Sequence, residues 1–322
     1  MKVVVCREYG SPDVMQVVDG PKSTIGVGDL LLRVHATSIN QIDLHFLNGS
    51  PFLARLLAGG LTRPTKLVLG SDVAGVVEVV GPGVTSFAPG DEVFGMTVCE
   101  SFAEYVRVNE KDMVMTRKPA SVSFEDAAAI PVVGYTAHNC LCDLGGLESG
   151  LRVLVNGASG GVGTVAVQIA KSLGAEVTAV CSTRNVDMVR SIGADQVIDY
   201  TQEDFAQPGA GYDLIFDAVA KRTFRECAPA LRAGGRCVTT YFTPALLLQS
   251  WIPASGGRRL VPMAPVRKNP QERLKTLSSL LESGDIKPVI GSRCDLAGIP
   301  DALRHMSEGH NRGKTVVNVM GD

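Results

Sequence analysis

No part of this chain restricts its fold more than the run Val153-Leu154-Val155-Asn156-Gly157-Ala158-Ser159-Gly160-Gly161-Val162-Gly163-Thr164. An apolar strand passes through a turn of small residues directly into a helix-forming segment. Against the G-x-G-x-x-G pattern, Ala158, Gly160 and Gly163 fill the three small positions. Small residues are needed because a pyrophosphate must approach the backbone N–H groups at a helix N-terminus, where the helix dipole favours negative charge. An ordinary tight turn would also use glycine. Here strand, turn, helix and second strand follow at βαβ spacing, so Ala158, Ser159, Gly160, Gly161, Val162 and Gly163 read as a dinucleotide site.

The choice of dinucleotide is read about 20 residues further on, where an acid ending the second strand binds the ribose hydroxyls of NAD. This chain has Val180-Cys181-Ser182-Thr183-Arg184 there, without an acid. A hydroxyl from Ser182 and the guanidinium fork of Arg184 suit a 2′-phosphate, which points to NADPH. The other reading makes Ser182 a helix cap and Arg184 a solvated charge, and both can hold together.

Around the turn, strand runs at 152–156, 176–181, 196–198, 212–217 and 236–241 alternate with helix-length segments, among them 163–173 and 186–191. Such alternation predicts a parallel sheet with right-handed crossovers. The first third differs: β-branched runs at 2–6, 30–36, 71–80, 92–94 and 103–108 are punctuated by Gly81-Pro82-Gly83 and Pro89-Gly90-Asp91, a mainly β block. The character changes where Ser123 precedes a helical run, which sets a boundary near residue 121. The tail holds helices at 271–283 and 299–307 and a strand at 315–319, and completes either domain. A length of 322 residues also calls for two domains.

Lys and Arg total 31 against 33 Asp and Glu, a net charge of −2 that argues against nucleic acid or an anionic membrane as partner and leaves a small molecule. No apolar run approaches the roughly 18 residues of a membrane span. Met1-Lys2-Val3-Val4-Val5 reads as a strand and not as a leader, so a cytoplasmic location is expected, although a processed organellar form would look the same. The 8 cysteines are scattered and read as free thiols.

Three blocks stand in a characteristic order: Gly70-Ser71-Asp72-Val73-Ala74-Gly75-Val76-Val77 with Val80-Gly81 and Gly90-Asp91-Glu92-Val93, the glycine turn, and Arg312-Gly313-Lys314-Thr315-Val316-Val317. Over nearly its whole length the sequence resembles the medium-chain dehydrogenase/reductase superfamily. It is nearer to the zinc-independent quinone oxidoreductase branch (zeta-crystallin-like, alkenal reductase-like) than to the alcohol dehydrogenases. The resemblance implies an α/β fold with a Rossmann-type doubly wound parallel sheet at 122–264. A mainly β, GroES-like catalytic domain at 1–121 is completed by a return segment at 265–322.

Zinc members of that superfamily place a Cys after the third strand and a His in a Gly-His-Glu block; this chain has Asn40 and Ser71 there. The segment 96–108 contains only Cys99, and the 5 histidines are too far apart for a local ligand motif, so no metal is expected. Without a Lewis acid the acceptor must itself be electrophilic, a quinone or an α,β-unsaturated carbonyl reduced by NADPH. Two alternatives are an enoyl reductase of carrier-bound thioesters and a non-catalytic NADPH-binding sensor or interaction protein.

Further roles are implied by the resemblance. Ser38-Ile39-Asn40-Gln41-Ile42-Asp43 is similar to an Asn-Pro-x-Asp segment facing the nicotinamide, with Gln41 in place of Pro. Asn40 would bond the cofactor or a developing enolate and Asp43 would hold the loop, while both also suit turns and caps. No tyrosine lies between His45 and Phe52, so solvent would protonate the product. Thr136 would flank the nicotinamide, Tyr200 the 2′-phosphate, and Arg312 and Lys314 would close on the cofactor. Tyr241, Phe242 and Thr243 follow a strand at the carboxyl edge, where ligands bind in open α/β sheets. The apolar stretch 244–253, with the only Trp, would wall the acceptor pocket, bury itself at a subunit contact or pack inside. A homodimer is expected to cover that stretch together with strand 236–241 as the sheet edge.

Overall fold

The computed structural model describes residues 1–57, 60–241, 243–263, 269–309 and 311–320. It divides into two compact units: Met1–Val132 with Gln271–Glu282 and Ile290–Asp322, and Val133–Pro270 with Ser283–Val289.

The first unit begins with β1 (Lys2–Cys6), β2 (Met15–Asp19), β3 (Asp29–Ser38), α1 (Gln41–Asn48) and α2 (Phe52–Leu57). There follow β4 (Asp72–Val80), β5 (Glu92–Met96), β6 (Tyr105–Asn109), β7 (Val114–Arg117), α3 (Phe124–Ala128) and α4 (Pro131–His138), which runs on into the second unit. β3 is the spine, antiparallel to β4 and β6. Its alternate residues Leu30, Leu32 and Val34 join Val73, Val77, Val93, Val106 and Met115 in one core, the result of period-2 patterning with a single face turned inward.

The expected change of character at 121 and the observed division at Val132 differ because α3 belongs with the strands. Its N-cap Ser123 accepts the Asp126 N–H, and its Phe124 stacks on His35 of β3 with centroids 4.3 Å apart.

In the second unit β8 (Arg152–Asn156), α5 (Gly161–Ser172), β9 (Glu176–Cys181), α6 (Val186–Ser191), β10 (Gln196–Asp199), β11 (Tyr212–Asp217), α7 (Phe224–Cys227), β12 (Leu231–Thr239), α8 (Pro244–Ser250) and β13 (Arg259–Pro262) succeed one another. The six strands are all parallel in the order β10-β9-β8-β11-β12-β13. Strand order therefore reverses between β8 and β11, the switch point where doubly wound sheets bind nucleotides at their carboxyl ends. Leu154, Ile215, Cys237 and Leu260 lie in register across four strands and form one buried row.

Strand 236–241 was expected to be the sheet edge; it is not. β12 begins earlier, at Leu231, and β13 pairs along its far side. The interior-packing reading of 244–253 also fails, because α8 buries none of its residues and Leu248, Trp251 and Ile252 are exposed. All 8 cysteines are free thiols. The chain closes with α9 (Pro270–Ser283), β14 (Ile290–Cys294), α10 (Ile299–Ser307) and β15 (Lys314–Asn318), the last antiparallel to β3. Among the described residues no helix is long and apolar enough to cross a membrane.

Candidate functional site

In the second unit the backbone N–H groups of Gly157 and Ala158 both donate to the Val180 carbonyl, at 3.2 and 3.0 Å, and fold the chain back over β9. A Cβ on Gly163 would stand 2.1 Å from the Gly157 carbonyl oxygen, so helix-on-strand packing itself demands glycine there. Gly160 is different. As N-cap of α5 it has φ −82°, which any residue adopts, and a Cβ would meet only the Gly157 oxygen at 3.6 Å. The side chain missing at 160 is thus not required by the protein, and it leaves open the helix end whose first N–H groups lack intrahelical acceptors. Ala158 is fully buried, whereas Ser159, Gly161 and Val162 are half-buried beside this cradle, which fits a dinucleotide pyrophosphate. Asn156 donates to Asp217 Oδ1 at 2.9 Å and ties together the carboxyl ends of β8 and β11.

Ser182 follows β9, and Arg184 is exposed one turn on. The Tyr200 N–H donates to the Cys181 carbonyl at 3.1 Å, which sets the exposed Tyr200 next to Ser182. Sequence reading missed Asp199 here. It ends β10 opposite Cys181, and its carboxylate accepts from Thr183 Oγ1 at 2.5 Å, Thr201 Oγ1 at 2.7 Å, Gln202 Nε2 at 2.9 Å and the Thr201 N–H at 3.0 Å. Those donors, Thr183 first, hold its carboxyl below the usual carboxylate range. β9 itself carries no acid at this end; the neighbouring strand supplies one.

Tyr241 is exposed beyond β12, and Thr243 caps α8 by accepting the Leu246 N–H at 3.2 Å. Phe242 lies outside the described residues. Thr136 is half-buried in α4.

Asn40, Asp43 and Lys314 meet inside the first unit, brought together by strand register. Val316 pairs with Ser38, and Ala74 with Ala36, so the start of β15, the end of β3 and the start of β4 converge. Lys314 is 4% exposed, and its ammonium donates to Asn40 Oδ1 at 2.6 Å, to the Ile39 carbonyl at 2.9 Å and to Asp72 Oδ2 at 3.5 Å. Asp72 also accepts from Ser38 Oγ at 2.6 Å, Asn40 Nδ2 at 2.8 Å and the Val132 N–H at 2.9 Å. Asp43 accepts the Asn40 N–H at 2.8 Å and Ser71 Oγ at 3.0 Å. Burial pushes the Asp43 carboxyl up to about 7, with the Asp72 charge adding to the rise; burial likewise lowers Lys314 from its ordinary value. Arg312 is exposed and takes no part in this cluster. The Lys314–Asp72 contact gave no sequence signal, since 242 residues separate the two.

A doubly wound sheet with a phosphate cradle at its switch point, together with a separate β unit with a buried polar cluster, is the architecture of a dinucleotide-binding protein. Residues 26–122 match the Alcohol dehydrogenase GroES-like domain and residues 192–317 the Zinc-binding dehydrogenase family. A chloroplastic quinone-oxidoreductase of Triphysaria versicolor is 34% identical, with 98% of each chain covered. An Arabidopsis thaliana chloroplastic NADPH-dependent alkenal/one oxidoreductase is 32% identical over 98% of this chain and 79% of its own. Among solved structures, the quinone oxidoreductase from Coxiella burnetii superposes with a TM-score of 0.87 at 29% identity, covering 99% of both chains. The chain belongs to the medium-chain dehydrogenase/reductase superfamily, in the branch of quinone oxidoreductases and alkenal reductases.

One of the matched families is named for zinc, which takes Cys, His or acidic ligands at about 2.0–2.3 Å. The place between β3, β4 and β15 offers an amide, two serine hydroxyls and two carboxylates, with an ammonium already among them. That ammonium fills the space and repels a dication. These residues do not fit a zinc ion, and the described residues contain no group of three or more His, Cys, Asp or Glu able to hold a metal.

Proposed function

We propose that the chain is an NADPH-dependent, zinc-independent reductase that transfers hydride to a quinone or an α,β-unsaturated carbonyl. The observation that carries the reading is the Lys314 ammonium bonded to Asn40 and beside Asp72, a donor set that takes no metal. An enzyme without a Lewis acid is poorly equipped to stabilise the alkoxide of a simple alcohol. Quinones and enones spread the incoming charge over a conjugated system, so positioning and a few hydrogen bonds suffice. The relatives named for quinone and alkenal/one reduction support the same acceptor class.

When bound, NADPH would supply the hydride; an enone and a quinone each take one further proton, the quinone leaving as the hydroquinone. Ser182, Arg184 and Tyr200, together at the ends of β9 and β10, are read as the 2′-phosphate contacts. The neighbouring Asp199 has its lone pairs engaged by Thr183, Thr201 and Gln202, which limits its repulsion of a phosphate.

The test is a panel of quinones, alkenals and enoyl thioesters followed by NADPH absorbance, with NADH in parallel. Turnover with quinones or alkenals is expected, and NADPH is expected to bind more tightly than NADH. Charge-assisted bonds contribute about 1.5–3 kcal/mol, so Arg184→Ala is expected to remove roughly ten- to hundredfold of that preference. Preference for enoyl thioesters would reassign the acceptor. Tight NADPH binding with no turnover at all would make the protein a sensor.

A further inference from the structure

We infer that Lys314 is a positioning residue for the reduction, a built-in cation whose ammonium fixes the side chain of Asn40; the inference rests on the reading above that Asn40 serves the reacting groups. Three observations carry it. First, the three hydrogens of the ammonium have three protein acceptors, Asn40 Oδ1, the Ile39 carbonyl and Asp72 Oδ2, all in the first unit. Lys314 is therefore held within that unit and does not extend as a mobile surface charge.

Second, both ends of the Asn40 amide are assigned by their neighbours. Its oxygen accepts from the ammonium at 2.6 Å, and its nitrogen donates to Asp72 at 2.8 Å and to the Ser38 carbonyl at 3.3 Å. A flipped amide would set N–H against N–H and oxygen against carboxylate. The amide plane is thus locked by a charge on each side, and charge-assisted bonds are the short, directional ones.

Third, every hydrogen bond to Asp72 comes from a donor, Ser38 Oγ, Asn40 Nδ2, the Lys314 ammonium or the Val132 N–H, while the Asp43 carboxyl lies near enough for the two charges to repel. A buried, ion-paired lysine is not the residue that packing alone selects, because an apolar side chain of similar volume is usually as stable or more so. What the charge adds at this place is its short bond to the Asn40 oxygen. Asn40 also begins α1, and its backbone N–H is bound by Asp43, so the amide is fixed at both its main chain and its side chain.

The test uses Lys314→Met and the double variant Lys314→Met with Asp72→Asn, each compared with wild type by thermal midpoint, by kcat and KM with NADPH and 1,4-benzoquinone, and by the side-chain amide resonances of Asn40. The single variant strands the Asp72 charge and is expected to melt earlier. The double variant, with both charges gone, is expected to recover a midpoint near that of wild type while kcat stays at least tenfold low, KM for NADPH shifts less than twofold, and the Asn40 amide signals move. Wild-type kcat in the folded double variant, or Asn40 signals that do not move, would overturn the inference. If wild type reduces no acceptor, the functional reading fails separately and the amide signals of the folded Lys314→Met single variant, in which Asp72 is intact, alone decide: movement supports Lys314 as the clamp on Asn40, and no movement overturns it.

Discussion

Asp43 is the residue whose chemistry is most altered by its surroundings. Fully buried, its carboxyl is raised from an ordinary value near 3.9 to about 7, chiefly by desolvation. The folded state thus holds this proton more tightly than the unfolded chain does. Its contribution to stability is full below about pH 4 and is lost as pH rises toward 7, on the order of 4 kcal/mol for a shift of about three units. Asp43→Asn carries no such titration. Urea unfolding at pH 5, 6, 7 and 8 is expected to show wild type losing stability relative to the variant across that range; parallel curves would show that Asp43 does not titrate there. Asn40 and Asp43 were legible through the family resemblance, which one contiguous segment, Ser38 to Asp43, carries. Lys314 was legible only as a contact closing on the cofactor; its bonds to Asn40 and Asp72, and the placing of Asp199 opposite Cys181, were not, because strand register brings these together and a linear pattern does not carry register.

The glycine turn is the element that sequence reading located best, since strand, turn and helix are contiguous there. Structure adds that its glycines serve different ends. Gly163→Ala would force a methyl into the Gly157 carbonyl and is expected to destabilise the fold by about 1–3 kcal/mol or more. Gly160→Ala has room within the protein, so its stability is expected to fall by no more than about 1 kcal/mol, the ordinary cost of Ala at an N-cap. The same methyl would stand at the open end of α5, and fluorescence titration is expected to show at least tenfold weaker NADPH binding. Unchanged affinity in Gly160→Ala would remove the pyrophosphate from this cradle. β13 escaped sequence reading for a physical reason: four residues following Gly256-Gly257 are too short for a strand signal, and pairing with β12 makes them a strand. α8 read only as an apolar stretch, because Leu246, Leu247 and Leu248 are consecutive and give no helical stripe.

At the scale of the whole molecule, the alternation of strand and helix made the parallel sheet legible, whereas the return of the tail was legible only through the family resemblance, and its pairing of β15 with β3 is a long-range contact that no local pattern carries. The sheet also revises the assembly argument. Its edge on this side is β13, with no strand beyond it among the described residues, and α8 packs beside it carrying exposed Leu248, with Trp251 at 74% and Ile252 at 72% exposure just after. An open strand edge next to such a patch is a template for association. We expect a second copy to cover both, in an isologous two-fold dimer in which each β13 and each apolar patch meets its own counterpart. Light scattering is expected to give twice the 34.0 kDa chain mass. Leu248→Glu with Ile252→Glu would place four like charges at the two-fold contact and is expected to give folded monomers, with the emission of the only Trp shifted to the red as it meets water. A wild-type monomer at all concentrations would refute the dimer, and an intact dimer in the double variant would move the contact away from this patch.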